Sequence, residues 1–359
     1  MPEYTAAQLA AIGEIGSNLQ IIACAGSGKT QVISARVVEI LKQERGRGVK
    51  PENIVAFTFT DKAAAELKDR IATLVRAEFG DLLGMAEMYV GTIHGFCLEL
   101  LQTYLFEYLK YSVLTEVQAR LLVSRNSRKS GLSGVKIISG PSSGQKLNRN
   151  PRDISVFIES LNVLREDNPD LARVPEGLRA AMDKYTDLQD EHRYLDYSRI
   201  IVEAVTALHD ESDDRLSLQR RIAERVKYLI VDEYQDVNPL QEALIRRLHE
   251  LGANTCVVGD DDQTIYQWRG SEIRNILEFA SRYPTVRSIT LAENFRSSPG
   301  VVNSGRQIAD RNDPNRLPKA MVAGSERSFE RGDLLALTFA SPDHEARWIA
   351  QKVLELRGL

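Results

Sequence analysis

The sequence predicts an α/β protein built on a parallel sheet, with a helical insertion, and three observations carry that expectation. Short apolar, β-rich runs alternate with helical patterns, the signature of βαβ units. A glycine-rich loop, Ala25-Gly26-Ser27-Gly28-Lys29-Thr30, stands between one such run and a helix. A second run, Tyr228-Leu229-Ile230-Val231, ends in two acids, Asp232 and Glu233. Parallel strands require crossovers and place ligands at their carboxyl ends, so both features are expected at one rim.

Taken in order, residues 19–23 read as a buried strand and 29–43 as a helix with Ile33, Val37, Ile40 and Leu41 on one face. Strand 53–58 precedes a helix over 62–75, and strand 88–93 a helix reaching 105. Strands 226–231 and 254–258, with the helix 240–251 between them, complete this set. Residues 1–101 and 195–285 are therefore expected to form one discontinuous domain. Residues 102–194 hold helical patterns and few strand candidates, so they read as an inserted subdomain. Inside it, residues 125–152 carry seven Lys or Arg and no Asp or Glu. A solvated loop and a strip that tracks phosphates both fit that stretch. From 286 a new pattern begins, with strands at 287–291 and 334–339 and helices at 299–309 and 344–356. Two strands and two helices cannot cover both faces of a sheet, so residues 286–359 read as the start of an incomplete second domain.

Composition narrows the class. Hydrophobic residues at 43% and charged ones at 27% are ordinary for a globular protein. The apolar runs are too short to cross a bilayer, and Met1-Pro2-Glu3 opens no signal peptide. Cys24, Cys97 and Cys256 lack ligand spacing, which argues against a zinc site or a disulfide frame and for a reducing, cytoplasmic setting. A net charge of −4 shows no basic footprint. Net charge says little, however, when bases are segregated on one face, so partners must be read from motifs.

The glycine-rich loop has the strand–loop–helix context of a P-loop, although Ala23 stands where the general pattern has glycine. Its N–H groups would cradle phosphates, Lys29 would reach the β- and γ-phosphates, and Thr30 would hold Mg²⁺. Asp232 is placed to bind the same ion and Glu233 to activate water. The stretch from Gly259 to Gly270 follows the next strand. Its three acids, Asp260, Asp261 and Asp262, lack the alternating spacing of a calcium loop. Gln263 offers an uncharged amide near the phosphates, and Tyr266 and Trp268 could stack on bases. A core position fits Trp268 as well.

The ordered series of motifs resembles the UvrD/Rep (PcrA-like) branch of superfamily 1 DNA helicases. It comprises Gln8 in YTAAQ, AGSGKT, FTFTDKAA from Phe57, GTIHGFC from Gly91, DEYQD from Asp232, GDDDQTIYQWRG from Gly259 and LAENFRS from Leu291, spanning residues 4–297. The resemblance implies RecA-like motor domains that use ATP and Mg²⁺ to move 3′ to 5′ on single-stranded DNA and at duplex junctions. Repair or recombination proteins are the implied partners, and the cytoplasm, at the nucleoid, the implied location. Gln8 would read adenine, Phe295 would stack on it, Gln263 would sense the γ-phosphate and Arg296 would act as an arginine finger. Phe59, His94, Tyr266 and Trp268 would contact single-stranded DNA. For His94 a purely structural role also fits. Leu195-Asp196-Tyr197 resembles the family's return from its insertion. The family's late motifs are not found before Leu359, so a chain ending there is expected to bind nucleotide, hydrolyse it weakly and not unwind duplex. A non-motor ATP- and DNA-binding regulator and the motor part of a helicase–nuclease are the alternatives.

Overall fold

A computed structural model describes residues 3–138, 143–167, 169–265, 270–325, 327–329 and 334–358. The chain opens with helix α1 (Ala6–Gly13), started by a capping box between Thr5 and Gln8. Strand β1 (Asn18–Ala23) leads into α2 (Lys29–Glu44), β2 (Ile54–Phe57) into α3 (Asp61–Phe79), and β3 (Tyr89–Gly91) into α4 (Ile93–Tyr104). Thr60 and Thr92 cap α3 and α4 by accepting hydrogen bonds from first-turn N–H groups.

The insertion follows, with β4 (Ser112–Val113), α5 (Glu116–Arg125), α6 (Pro151–Glu166), α7 (Glu176–His192) and β5 (Tyr194–Leu195). The chain then returns through α8 (Tyr197–His209) and α9 (Asp213–Arg225) to β6 (Tyr228–Val231), α10 (Pro239–Glu250) and β7 (Asn254–Gly259). Two short helices, α11 (Arg274–Leu277) and α12 (Phe279–Arg282), precede β8 (Val286–Leu291). Last come β9 (Glu293–Asn294), α13 (Pro299–Ala309), β10 (Val322–Ala323) and α14 (Pro342–Arg357).

Six strands form one parallel sheet in the order β3-β2-β6-β7-β1-β8. Because side chains alternate across a strand, each strand feeds two cores. Val55, Phe57, Leu229, Val231 and Val257 pack under α4, α8 and α10. Ile54, Ala56, Ile230, Cys256 and Val258 pack on the opposite side with Val32, Ile33, Val37 and Leu67 of α2 and α3. Both faces are covered, which explains why β1 and β2 are buried along their whole length.

The insertion has a core of its own, including Leu122, Val123, Leu132, Val135, Phe157, Leu161, Tyr185 and Leu188. Its two ends meet, because β4 pairs parallel with β5. The described parts of the basic stretch, residues 125–138 and 143–152, are folded onto that core. Their apolar members Leu132, Val135 and Leu147 turn into the core, Lys136 bridges Lys146, and Arg149 Nε donates to Ser127 Oγ at 2.6 Å. The seven basic side chains face outward.

Two expectations about the last quarter need correction. The strand expected at 287–291 belongs to the main sheet, where β8 lies parallel to β1 from Asn18↔Val286 to Ala23↔Leu291. β8 thus extends the first sheet past the boundary expected at 285/286 and covers the otherwise open edge of β1. Residues 334–339 form no strand, since no described segment supplies a ladder for them, and Leu334, Leu335 and Leu337 are exposed. The parallel pair in this region is instead β9 with β10, joined through α13.

An ion pair docks the insertion on the sheet domain. Arg165 Nη1 lies 2.9 Å from both Asp196 oxygens, Gln189 Nε2 donates to Asp196 at 2.7 Å, and Asp196 caps α8. Burial pulls the Asp196 carboxyl upward, but Arg165, the Arg199 N–H and Gln189 override it and hold it below its ordinary value. A group depressed on folding contributes stability above its unfolded value of about 3.9, and that contribution is lost as pH falls through the lower folded value. Arg165→Met should therefore cost about 3–5 kcal/mol at neutral pH by stranding a buried carboxylate. Urea denaturation checks this, and the gap from the parent protein should shrink as acid protonates Asp196.

Candidate nucleotide site and the adjoining cleft

The P-loop is pinned at both ends. Cys24 N–H donates to Leu291 O at 3.0 Å, which ties the loop's start to β8, and Ser27 N–H donates back to Cys24 O at 3.2 Å. Gly26 (φ 67°) and Gly28 (φ 83°) adopt the left-handed conformation that glycine enters without steric cost. Gly28 is also the N-cap of α2 and makes no side-chain cap, so the first-turn N–H groups keep the positive helix end open to an anion. The Ser27 hydroxyl is buried and finds no hydrogen-bond partner among the described residues. An orphan donor beside such a loop fits a phosphate oxygen.

Gln8 sits directly against this loop. Its Nε2 donates to Ser27 O at 3.0 Å, while its Oε1 accepts from Thr5 N–H at 2.9 Å. The capping box thus fixes the amide and leaves one N–H and one lone pair for a ligand.

At the end of β6 the ladder continues by one bond, Asp232 N–H to Phe57 O at 2.9 Å. Glu233 then turns with φ 50°, an uncommon conformation for a residue with a Cβ. Its N–H donates to Asp232 Oδ1 at 3.0 Å, and its Oε2 lies 2.6 Å from Lys29 Nζ. Gln235 Nε2 donates to the same Glu233 oxygen at 2.9 Å, and Gln235 Oε1 accepts from Asp260 N–H at 3.0 Å. Gln263 Nε2 donates to Asp260 Oδ2 at 2.6 Å. Lys29, Glu233 and Gln263, which lie far apart in sequence, are thereby joined in one hydrogen-bonded chain. Burial, reinforced by Glu233, pushes the Asp232 carboxyl up to about 6, with Lys29 pulling against it. Asp236 is likewise pushed up to about 6 by burial and by Glu233. Such a surplus of carboxylate favours a cation.

Thr30, in the first turn of α2, and Asp232 offer a hydroxyl and a carboxylate. This donor set fits Mg²⁺, which is held through one or two carboxylates together with phosphate oxygens and water.

The LAENFRS stretch closes over the loop. Phe295 N–H donates to Gly26 O at 3.0 Å, and Asn294 Oδ1 accepts from Arg296 and Ser297 N–H. A Cβ on Gly26 would stand 2.7 Å from Asn294 Oδ1 and 2.8 Å from Arg296 Cβ. The Phe295 ring is 41% exposed.

Beside the carboxylates runs a cleft of about 680 Å³, between the sheet's rim and α6 of the insertion. Phe59, Thr92, His94, Glu166, Glu233 and Asn238 are among its lining residues. The His94 ring meets Tyr197 edge-on at 5.6 Å, and burial lowers its pKa. Asn238 donates to Glu166, whose carboxyl burial pushes up to about 7. Tyr266 and Trp268 lie outside the described residues. Among the described residues, no helix is long and apolar enough to cross a membrane.

Several partners here had no assignment from sequence: Gln235, Asn294, Arg316 and Lys319. The last two pair with the three acids after β7, with Arg316 Nη2 2.7 Å from Asp262 and Lys319 Nζ 2.7 Å from Asp260. The run of three acids was itself the available signal, since buried carboxylates demand counter-charge.

A P-loop facing a carboxylate pair on the rim of a parallel sheet defines a P-loop nucleoside-triphosphatase domain. More narrowly, the chain belongs to the UvrD/REP helicase family, whose N-terminal domain matches residues 4–284. It is 30% identical over 353 residues to the ATP-dependent DNA helicase PcrA of Bacillus subtilis, covering 95% of this chain and 43% of that protein. It is 32% identical over 361 residues to the ATP-dependent DNA helicase UvrD1 of Mycobacterium tuberculosis H37Rv, covering 96% and 44%. With UvrD1 of Mycobacterium leprae the identity is 31% over 366 residues, covering 98% and 44%. The chain thus spans a little under half the length of these relatives.

Gly26→Ala would force a Cβ into the Asn294–Arg296 contact at a positive φ. It should lower thermal stability by about 1 kcal/mol or more and weaken nucleotide binding. Differential scanning calorimetry and titration with a fluorescent nucleotide read the two effects.

Proposed function

We propose that this chain forms the ATP-hydrolysing part of a UvrD/Rep-type motor that moves along single-stranded DNA, 3′ to 5′ by resemblance to the family. The supporting observation is the hydrogen-bonded chain from Lys29 through Glu233, Gln235 and Asp260 to Gln263, set beside the P-loop. In this reading the loop N–H groups and Lys29 bind the phosphates, while Gln8 and Phe295 hold adenine. Thr30 and Asp232 hold Mg²⁺, which supplies charge neutralisation at the phosphates. Glu233 orients the attacking water and takes its proton. Its pairing with Lys29 keeps that carboxylate occupied, and a triphosphate that draws Lys29 away frees it for water. Gln263 senses the γ-phosphate and Arg296 offsets charge developing on it.

Single-stranded DNA would follow the rim past Phe59 and His94, with Tyr266 and Trp268 stacking on bases. Residues 1–101 and 195–291 would form the first motor domain, residues 102–194 its inserted subdomain, and residues from 292 on would belong to a second motor domain. A cytoplasmic setting and work on duplex junctions, as the relatives' description as DNA helicases suggests, are part of the same proposal.

The test is Glu233→Gln in single-turnover hydrolysis with and without single-stranded DNA. Turnover should fall by about 10²-fold or more, the usual worth of a positioned general base. Nucleotide affinity should stay within about twofold, as no lost hydrogen bond to the phosphates is involved. Hydrolysis that survives the substitution would remove Glu233 from the role of base.

A further inference from the structure

The three acids that follow β7 bear on the nucleotide site in a way their sequence does not announce. Lys319 reaches into them from the segment between α13 and β10. Its Nζ lies 2.7 Å from Asp260 Oδ1 and 3.1 Å from Asp262 Oδ2, and it also bonds Asp261 Oδ1. The lysine side chain is 1% exposed, and those of Asp260 and Asp261 are 3% and 0% exposed. Around it, Leu317 N–H donates to Asp261 Oδ2 at 2.8 Å. Arg316 spans Asp262 and Asp310 at 2.7 and 2.8 Å. Carboxylates buried side by side repel one another, so they hold this geometry only while a cation sits among them.

The Asp260 carboxylate serves three partners, and besides the two that follow its Oδ1 accepts from Asp262 N–H at 3.2 Å. One oxygen faces Lys319, and the other accepts from Gln263 Nε2 at 2.6 Å. That second bond fixes which edge of the Gln263 amide carries its free N–H and which its carbonyl oxygen. We propose that Lys319 is a positioning residue for the nucleotide site: by clamping Asp260 it sets the orientation of the Gln263 amide. The response of Gln263 to a third phosphate thus depends on the segment of residues 310–319 being docked. The clamp is an ionic latch made by residues other than those of the Phe295–Gly26 and Arg296 contacts. It rests on the reading of Gln263 as the γ-phosphate sensor.

The experiment compares ADP with the non-hydrolysable β,γ-imido analogue of ATP by isothermal titration, in the presence of Mg²⁺. The variants are Gln263→Ala, Lys319→Met, Lys319→Arg and the double variant of Lys319→Met with Gln263→Ala. Gln263→Ala should cut the preference for the triphosphate by about tenfold, the order expected for one hydrogen bond to a charged group. Lys319→Met should give a similar loss with ADP affinity unchanged, Lys319→Arg should recover most of it, and the double variant should lose no more than either single one. Should Lys319→Met fail to fold, Asp260→Asn carries the same expectation while relieving the buried negative charge. A full preference in Gln263→Ala would end the sensor reading and the proposal with it. A loss in Gln263→Ala that is absent from the Lys319 and Asp260 variants, or that adds in full in the double variant, would leave the sensor standing and overturn the latch.

Discussion

Six strands running the same way must release their following loops on one edge, and all of the candidate nucleotide site but Gln8 follows from that constraint. β1 delivers the P-loop, β2 delivers Phe59, β3 delivers His94, β6 the carboxylate pair, β7 the acids and Gln263, and β8 the turn to Arg296. The sheet also controls where each loop begins, because its ladder runs one residue past several strand ends. Cys24 bonds Leu291, Thr58 bonds Gly91 and Asp232 bonds Phe57. Loops that leave a rigid edge from fixed points can hold side chains within the narrow tolerance that phosphate chemistry demands. Gln8 is the exception. It arrives from α1, ahead of the sheet, and is held by its own capping box.

Charge is unevenly distributed along this rim. Asp232, Glu233 and Asp236 gather near Lys29, and Asp260, Asp261 and Asp262 gather near Lys319 and Arg316. Acid exceeds base in both groups. Burial, reinforced by neighbouring Glu233, raises the proton affinity of Asp232, so the site is poised to accept positive charge. A triphosphate approaching alone would meet that same negative field, whereas one carrying Mg²⁺ would relieve it. The bare chain's overall acidity is consistent with this local pattern, and no basic tract is needed at the nucleotide site itself.

Much of the fold was legible because parallel strands buried on both faces read as unbroken apolar runs. The ends of β1, β6 and β7 and of α2 and α10 fall within a residue or two of where those runs and their caps put them. The P-loop and the Asp232–Glu233 pair were legible for the same reason: local spacing encodes them. What failed was non-local. Whether 287–291 joins the first sheet or founds a second depends on which edge is vacant, and nothing within those residues records that. The strand expected at 334–339 has the right pattern and lacks a described neighbour to pair with. The basic stretch looks soluble by composition, yet Leu132, Val135 and Leu147, spaced among the bases, anchor its described parts to the core. Lys319 was invisible because its partners lie more than fifty residues away, and a single lysine carries no spacing signal.

The pairing of β4 with β5 closes the base of the insertion. Ser112 and Tyr194 sit in register, so the peptide leaves the sheet domain and comes back through one narrow doorway. The described residues beyond that threshold have a separate apolar interior and reach the host through polar contacts that include those of Arg165, Asn162, Glu166 and Asp190. An attachment of this kind behaves as a cartridge: its contents can be lengthened, shortened or exchanged between related chains without rethreading a single strand of the engine beneath it.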